Sequence, residues 1–280
     1  MPWIPRGLHD GVVTTRYPRR ADGYGEGFHA AVDVEPGAAV DDRAYAAVTA
    51  CPTDSISIAG STTGGRLHLD RGRCILCGRC VDISPRAFRF TSDFEVSTQQ
   101  RNHLIVPDLE EDDATLARTR DELARRVRIL RRSLHVRHVD AGSDGADEWE
   151  VAALMNPIYD VQRLGIYFTA SPRHADLLLV TGVGSLGMID SLAETFEVMP
   201  EPKVVIAAGV DAISGGILRD GYASSAGVTD LVPVDVLVPG NPASPFGLLH
   251  GILLAVGLLK ESRGHAVRPS TNSKASVEPK

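Results

Sequence analysis

No stretch of this sequence approaches the ~20 consecutive apolar residues needed to cross a bilayer. The most apolar segment, Leu248 to Leu259, is too short for that and reads as a buried helix. A basic excess is also missing: 29 Lys and Arg stand against 36 Asp and Glu, for a formal net charge of -7. That balance argues against nucleic acid as a partner, because phosphates need a cationic surface. The opening residues, Met1-Pro2-Trp3-Ile4-Pro5, lack the charged-then-apolar order of a secretory signal, so a cytoplasmic chain is expected. Cysteine is scarce, four in 280 residues, which excludes a disulfide-framed mini-protein. What is present is ordinary: 43% hydrophobic and 23% charged residues describe a globular chain long enough for two domains.

The four cysteines are Cys51, Cys74, Cys77 and Cys80, and three of them form the run Cys74-Ile75-Leu76-Cys77-Gly78-Arg79-Cys80. A C-x2-C-x2-C loop turns three thiolates toward one centre, as a cubane iron–sulfur cluster requires. It is too close-set for disulfides of good geometry. Zinc is the rival, since four thiolates also suit a tetrahedral ion, but its sites usually draw two ligands from each of two C-x2-C pairs. Here three come from one loop and one, Cys51, from upstream. One [4Fe–4S] cluster is the favoured reading, with zinc and free thiols left open behind it.

The first hundred residues resemble a bacterial two-cluster ferredoxin domain, in which C-x2-C-x2-C-x3-C-P occurs twice and the fourth Cys of each run ligates the other cluster. Laid on the upstream run, the motif puts Asp41, Ala44 and Ala47 where thiolates would stand, with Cys51-Pro52 last. On the downstream run Cys74, Cys77 and Cys80 are present and Ser84-Pro85 takes the fourth place. Cross-ligation then sorts the losses. One cluster needs positions 41, 44, 47 and 84, all without cysteine; the other needs Cys51, Cys74, Cys77 and Cys80, all present. The resemblance therefore implies one intact [4Fe–4S] site and one lost. Short strands are predicted at Asp54–Ile58, Leu67–Leu69 and Ala87–Phe90, giving an α+β ferredoxin-like domain over residues 1–105. The opening Gly11-Val12-Val13-Thr14-Thr15-Arg16-Tyr17-Pro18 is similar to the lead-in of ferredoxin-like subunits of energy-converting hydrogenases and complex I.

Residues 106–133 read as a linker helix, with Leu116, Leu123, Val127 and Leu130 forming one apolar stripe from Asp112 to Ser133. Acidic residues open it and arginines crowd its end, which suits the helix dipole. Arg125, Arg126, Arg128, Arg131 and Arg132 are either a solvated face or a seat for an acidic partner or anionic lipid. A second domain is expected over 134–263. Strands at Leu177–Thr181, Val204–Ala208 and Val234–Val238 alternate with helices at Met188–Met199 and Ser244–Lys260, the pattern of a parallel α/β sheet. The polar tail, 264–280, is expected to be disordered.

Gly182-Val183-Gly184-Ser185-Leu186-Gly187 fits the dinucleotide-binding G-x-G-x-x-G between strand and helix. The ribose-binding carboxylate is poorly supplied: Asp211 comes late and Glu201 precedes its strand. A soluble NAD(P)-binding oxidoreductase is thus a weak alternative. Residues 133–260 instead resemble the small subunit of group 4 [NiFe] hydrogenases and its complex I counterpart, the 20 kDa subunit. The likeness rests on ordered blocks that include Val139-Asp140-Ala141-Gly142-Ser143, Ser171-Pro172-Arg173-His174-Ala175-Asp176, Ala212-Ile213-Ser214-Gly215-Gly216 and Val234-Asp235-Val236-Leu237-Val238-Pro239-Gly240.

That family implies a [4Fe–4S] cluster on four cysteines, and here Asp144, Asp147, Asp211 and Asn241 occupy the four places. Oxygen ligands do not ordinarily hold a cubane, so this second site is expected to be empty of iron–sulfur. A hard cation such as Ca²⁺ or Mg²⁺ is one alternative; hydrogen-bonded carboxylates, some with raised pKa, are the favoured one. His135 and His138 read as packing or surface residues. The resemblance implies a fusion of two subunits placed on the inner face of the cell membrane, peripheral and without a span of its own. Its implied partners are a hydrogenase large-subunit-like protein and complex I-like membrane subunits. Electron transfer through one cluster and a mainly structural or regulatory role are both left standing, because both neighbouring relay sites lack ligands.

Overall fold

Short apolar segments broken by glycine-rich turns dictate small sheets at the start of the chain, and longer continuous apolar runs dictate a buried parallel sheet further on. The computed structural model describes residues 3–20, 22–25, 27–60, 65–107, 113–131, 133–219 and 221–259. A first helix, α1 (Trp3–Asp10), precedes β1 (Ala31–Val34), α2 (Asp42–Ala50), β2 (Ile56–Ala59), β3 (Arg66–Asp70), α3 (Arg79–Ile83), β4 (Phe88–Thr91) and β5 (Ile105–Val106). β1 pairs antiparallel with β4, and β2, β3 and β5 form a three-stranded antiparallel sheet. Val32, Val34, Ile56, Leu67, Leu69 and Phe88 pack between these elements together with Cys74 and Cys80.

The predicted strand at Ala87–Phe90 is β4, whereas its partner β1 was not foreseen. β1 is only four residues long, and it carries a charge, Asp33, that is buried. That charge is matched from far along the chain: the Arg71 guanidinium pairs with the Asp33 carboxylate, and its Nε donates to Val32 O at 3.4 Å. Both residues are buried. Arg71→Met is expected to lower unfolding free energy by about 3–5 kcal/mol, because it strands a buried carboxylate. The double variant Asp33→Asn/Arg71→Met should recover much of that loss in chemical denaturation, since no charge is then left unpaired.

Next come α4 (Asp113–Arg126), β6 (Leu134–Asp140), α5 (Ala146–Ala153), β7 (Ile166–Phe168), β8 (Leu177–Thr181), α6 (Ile189–Val198), β9 (Val204–Ala208), α7 (Val210–Ser214), β10 (Val236–Val238) and α8 (Pro245–Ala255). The predicted stripe on α4 and its continuation is buried at Leu123, Val127 and Leu130. Arg126 pairs with Asp235, so this arginine is taken within the chain. Arg132 and the predicted polar tail, 264–280, lie outside the described residues.

The five strands run parallel in the order β7-β6-β8-β9-β10. Every residue of β8 and β9 is buried, as central strands covered on both faces require. The order reverses between β6 and β8, which makes the crevice at their carboxyl ends the switch point of a doubly wound sheet. α8 is buried along its whole length and begins at Ser244, whose side chain accepts from Gly247 N, followed by Pro245. Among the described residues no helix is long and apolar enough to cross a membrane.

The two parts are stitched together. Thr98 and Leu237 exchange backbone hydrogen bonds at 3.0 and 2.7 Å, and Ser97 Oγ donates to Gly247 O at 3.2 Å. Tyr17 packs edge-on against Phe94 and Phe246.

Candidate metal centre

Each cysteine reaches the centre from a different local structure. Cys51 caps the C-terminus of α2, its N–H donating to Val48 O. Cys74 follows β3 in a turn in which its N–H donates to Arg71 O at 3.3 Å. Between Cys74 and Cys80 the chain curls through left-handed backbone at Leu76 (φ 55°) and Gly78 (φ 77°). At Gly78 a Cβ would also press on the Phe90 ring, so glycine suits both the conformation and the space. Cys80 lies in the first turn of α3.

These four cysteines line one pocket with about 310 Å³ of free space, part of it open to solvent, walled by Val32, Ile56 and Leu69. None of them forms a disulfide. Four sulfurs bonded to one zinc at 2.3 Å would lie about 4 Å apart. A cubane bonds one thiolate per iron and holds them wider. Among the described residues no three His, Cys, Asp or Glu are placed to hold a single metal ion. The donor set, three thiols from one loop and one from upstream on a shared pocket, suits a cluster.

The electrostatics call for a cation. Burial pushes the Cys74 thiol up to about 12, and the charges of Cys80, Cys51 and Cys77 add to the rise. Burial likewise raises Cys80 to about 11. Cys51 goes the other way: burial opposes its ionisation, but hydrogen bonds from Ser55 and Thr53 outweigh it and hold the thiol below its ordinary value. Ser55 Oγ lies 3.0 Å and Ser55 N 3.3 Å from Cys51 Sγ. Sequence reading missed these donors, although a serine and a threonine just after Cys51-Pro52 were a usable signal.

The other ferredoxin-type positions serve the local fold, with Asp41 exposed and the other three buried. Asp41 is the N-cap of α2, accepting from Ala44 N at 2.8 Å. Ala44 and Ala47 are buried in the small core, and Ser84 is buried at the end of α3. None of these four residues offers a thiol.

The second set of substituted positions gathers at the switch point. Asp144 and Asp147 stand in the loop and first turn after β6, Asp211 opens α7 after β9, and Asn241 follows β10. Asp147 is 2% exposed and accepts from Ala243 N at 2.7 Å, while its other oxygen abuts Gly209. Burial raises Asp147 to about 7, helped by the charges of Asp211, Glu148 and Asp144. Burial also raises Asp211 to about 6, helped by Asp144 and Glu148. These carboxylates do not fit a cubane, which is held by thiolates.

A polar chain runs beside them: His138 Nε2 lies 2.9 Å from Thr181 Oγ1, Thr181 donates to Glu148, and Ser143 Oγ donates to Glu148 at 2.6 Å. His135 bonds Asp176 and stacks on Tyr167. The two candidate centres are neighbours, since Arg71 and Cys74 share a small cavity with Pro239 and Gly240, next to Asn241.

The glycine pattern is part of the same packing. The N–H groups of Val183, Ser185 and Leu186 donate to Gly142 O, Ala141 O and Ala223 O at 2.7–3.1 Å. A Cβ on Gly182 would meet the Gly142 backbone at 2.7 Å. Three of the loop's N–H groups are thus taken by backbone partners, which weakens the dinucleotide reading further.

Residues 145–255 match the family model "NADH ubiquinone oxidoreductase, 20 Kd subunit". The probable membrane-bound hydrogenase subunit mbhJ of Pyrococcus furiosus is 37% identical over 139 residues, covering 50% of this chain and 83% of that relative. The chain belongs to the 20 Kd subunit family. A second model, a 4Fe-4S single cluster domain, matches residues 67–125, which include Cys74, Cys77 and Cys80, while Cys51 lies upstream of the match. This member of the 20 Kd subunit family is therefore fused to a ferredoxin-like domain, and its fold is α/β with antiparallel sheets in the N-terminal part. Formate hydrogenlyase subunit 7 of Escherichia coli is 39% identical over 143 residues, covering 51% of this chain. An NADH-quinone oxidoreductase subunit of Rubrobacter xylanophilus is 46% identical over 95 residues, covering 34%. The matches span 56% and 38% of those two relatives.

Proposed function

We propose that this chain is an iron–sulfur subunit in the peripheral arm of a membrane-bound hydrogenase-like or complex I-like assembly. It holds one [4Fe–4S] cluster on Cys51, Cys74, Cys77 and Cys80 and none at Asp144, Asp147, Asp211 and Asn241. The convergence of four cysteines on one pocket carries this reading, against eight other ligand positions that hold no thiol. Relatives named as hydrogenase and quinone oxidoreductase subunits support the setting. Its partners are then a large-subunit-like protein and complex I-like membrane subunits, on the inner face of the cell membrane.

When bound, such a cluster supplies one-electron transfer. The protein's own residues shape the pocket for it. Val32, Ile56 and Leu69 exclude water from one side, and Ser55 and Thr53 donate to the Cys51 sulfur. Donors to sulfur stabilise the added electron. Ser55→Ala is therefore expected to lower the midpoint potential by on the order of 50 mV while leaving the iron content unchanged, as read by an anaerobic redox titration.

A second reading, a mainly structural or regulatory role, is favoured by the carboxylates at the switch point, which leave no relay site beyond Pro239–Gly240. Iron and acid-labile sulfide per chain, with electron paramagnetic resonance before and after reduction, test the proposal. About four of each with one reducible signal supports electron transfer. A cluster that no physiological donor reduces leaves the structural role, and about eight irons overturns the single-cluster assignment.

A further inference from the structure

α1 has no buried residue, yet it is strongly two-sided. Trp3, Ile4 and Leu8 lie on one arc of the helix, and Arg6, His9 and Asp10 on the other. Trp3 is 68% exposed and Leu8 82%, and Val12 and Val13 extend the apolar surface past Gly11. Isolated helices this short are marginal in water, so an eight-residue amphipathic helix needs a surface to form on. Among the described residues none covers it, although the following segment is held firmly. Thr15 N donates to Ile158 O at 2.7 Å, Thr14 Oγ1 to Pro157 O at 2.8 Å, and Arg163 Nη2 to Tyr17 O at 2.8 Å. The helix is thus presented outward from a fixed anchor.

Charge selects the surface. In a chain of net charge -7, residues 3–22 carry four exposed arginines, Arg6, Arg16, Arg19 and Arg20, against two aspartates, Asp10 and Asp22, with Arg6 paired to Asp10 at 3.5 Å, which leaves a local cationic excess. An apolar arc bearing tryptophan, flanked by arginines, is the chemistry of a helix lying in a headgroup layer.

We propose that α1 lies in the interface of an anionic lipid bilayer and anchors the chain directly, beyond any attachment through partner subunits. The inference rests on the proposed peripheral membrane setting, but vesicle binding is read separately from iron content, so failure of one leaves the other intact. The full chain carrying Trp149→Phe keeps Trp3 as its single tryptophan. It is expected to sediment with phosphatidylcholine vesicles containing phosphatidylglycerol, to bind pure phosphatidylcholine far less, and to be released by salt. Trp3 fluorescence should shift to the blue on binding. Leu8→Glu, at a position 82% exposed, should weaken partition by about tenfold or more without affecting folding. No binding to the anionic vesicles, or binding unchanged by Leu8→Glu, overturns the proposal and leaves this face to a protein partner.

Discussion

Cys74→Ala and Cys77→Ala are both expected to reduce the iron content from about four per chain to near zero and to abolish the reduced paramagnetic signal. The two substitutions reach that result at different structural cost. Cys74 is buried in the small core beside Leu69 and Val106, so its loss removes a packed side chain as well as a ligand. Cys77 is exposed, so its replacement removes the ligand with little packing. If the four cysteines share one cluster, iron loss should be equal in the two variants, and the thermal stability of the metal-free forms should differ, with Cys74→Ala the lower. Burial and mutual repulsion hold the Cys74 and Cys80 thiols protonated without a cation. Iron removal should therefore leave a reduced, loosened domain rather than a set of free thiolates. Retention of four irons in both variants would show that the cluster lies elsewhere.

The parts of this structure that were legible in the sequence are those set by local pattern. β8 and β9 stand out because both faces are covered, leaving unbroken runs, Leu177–Thr181 and Val204–Ala208, with no polar interruption. α8 stands out because it is apolar on every side. β6 does not, although it is the strand on which the sheet reverses. His135, Arg137 and His138 interrupt its apolar residues, and each histidine is accommodated by something distant, Asp176 for His135 and Thr181 for His138. The ligand positions divide in the same way. The grouping of four cysteines could be read from motif spacing, whereas the roles of the replacing residues could not. Asp41 serves a helix cap three residues away, which spacing alone suggests. Asp147 serves Ala243, 96 residues distant, which only the fold reveals.

That distant contact sets the second large effect. Asp147→Asn is expected to raise the melting temperature at pH 8 by roughly 5–10 °C and to change it little near pH 4. In the folded chain the Asp147 carboxyl titrates near about 7, against an ordinary 3.8. Below 3.8 both folded and unfolded chains are protonated and the site contributes no pH dependence. As the pH rises from there toward 7 the unfolded chain releases its proton while the folded chain keeps it, so stability falls. Above about 7 the cost is complete, at most about 4 kcal/mol if this carboxyl carries it alone. Asparagine cannot ionise and retains the oxygen that accepts from Ala243 N, so it removes the cost without removing the bond. Melting curves at pH 4, 6 and 8 should therefore converge for the variant and separate for the natural chain. A variant with unchanged melting at pH 8 would mean that the Asp147 charge is already balanced, and the binding of a cation at the switch point would then have to be reconsidered. If the variant behaves as expected, the Asp147 carboxyl keeps its proton to about pH 7 in the folded chain. The switch point then keeps its shape through that carboxyl and its backbone bond to Ala243.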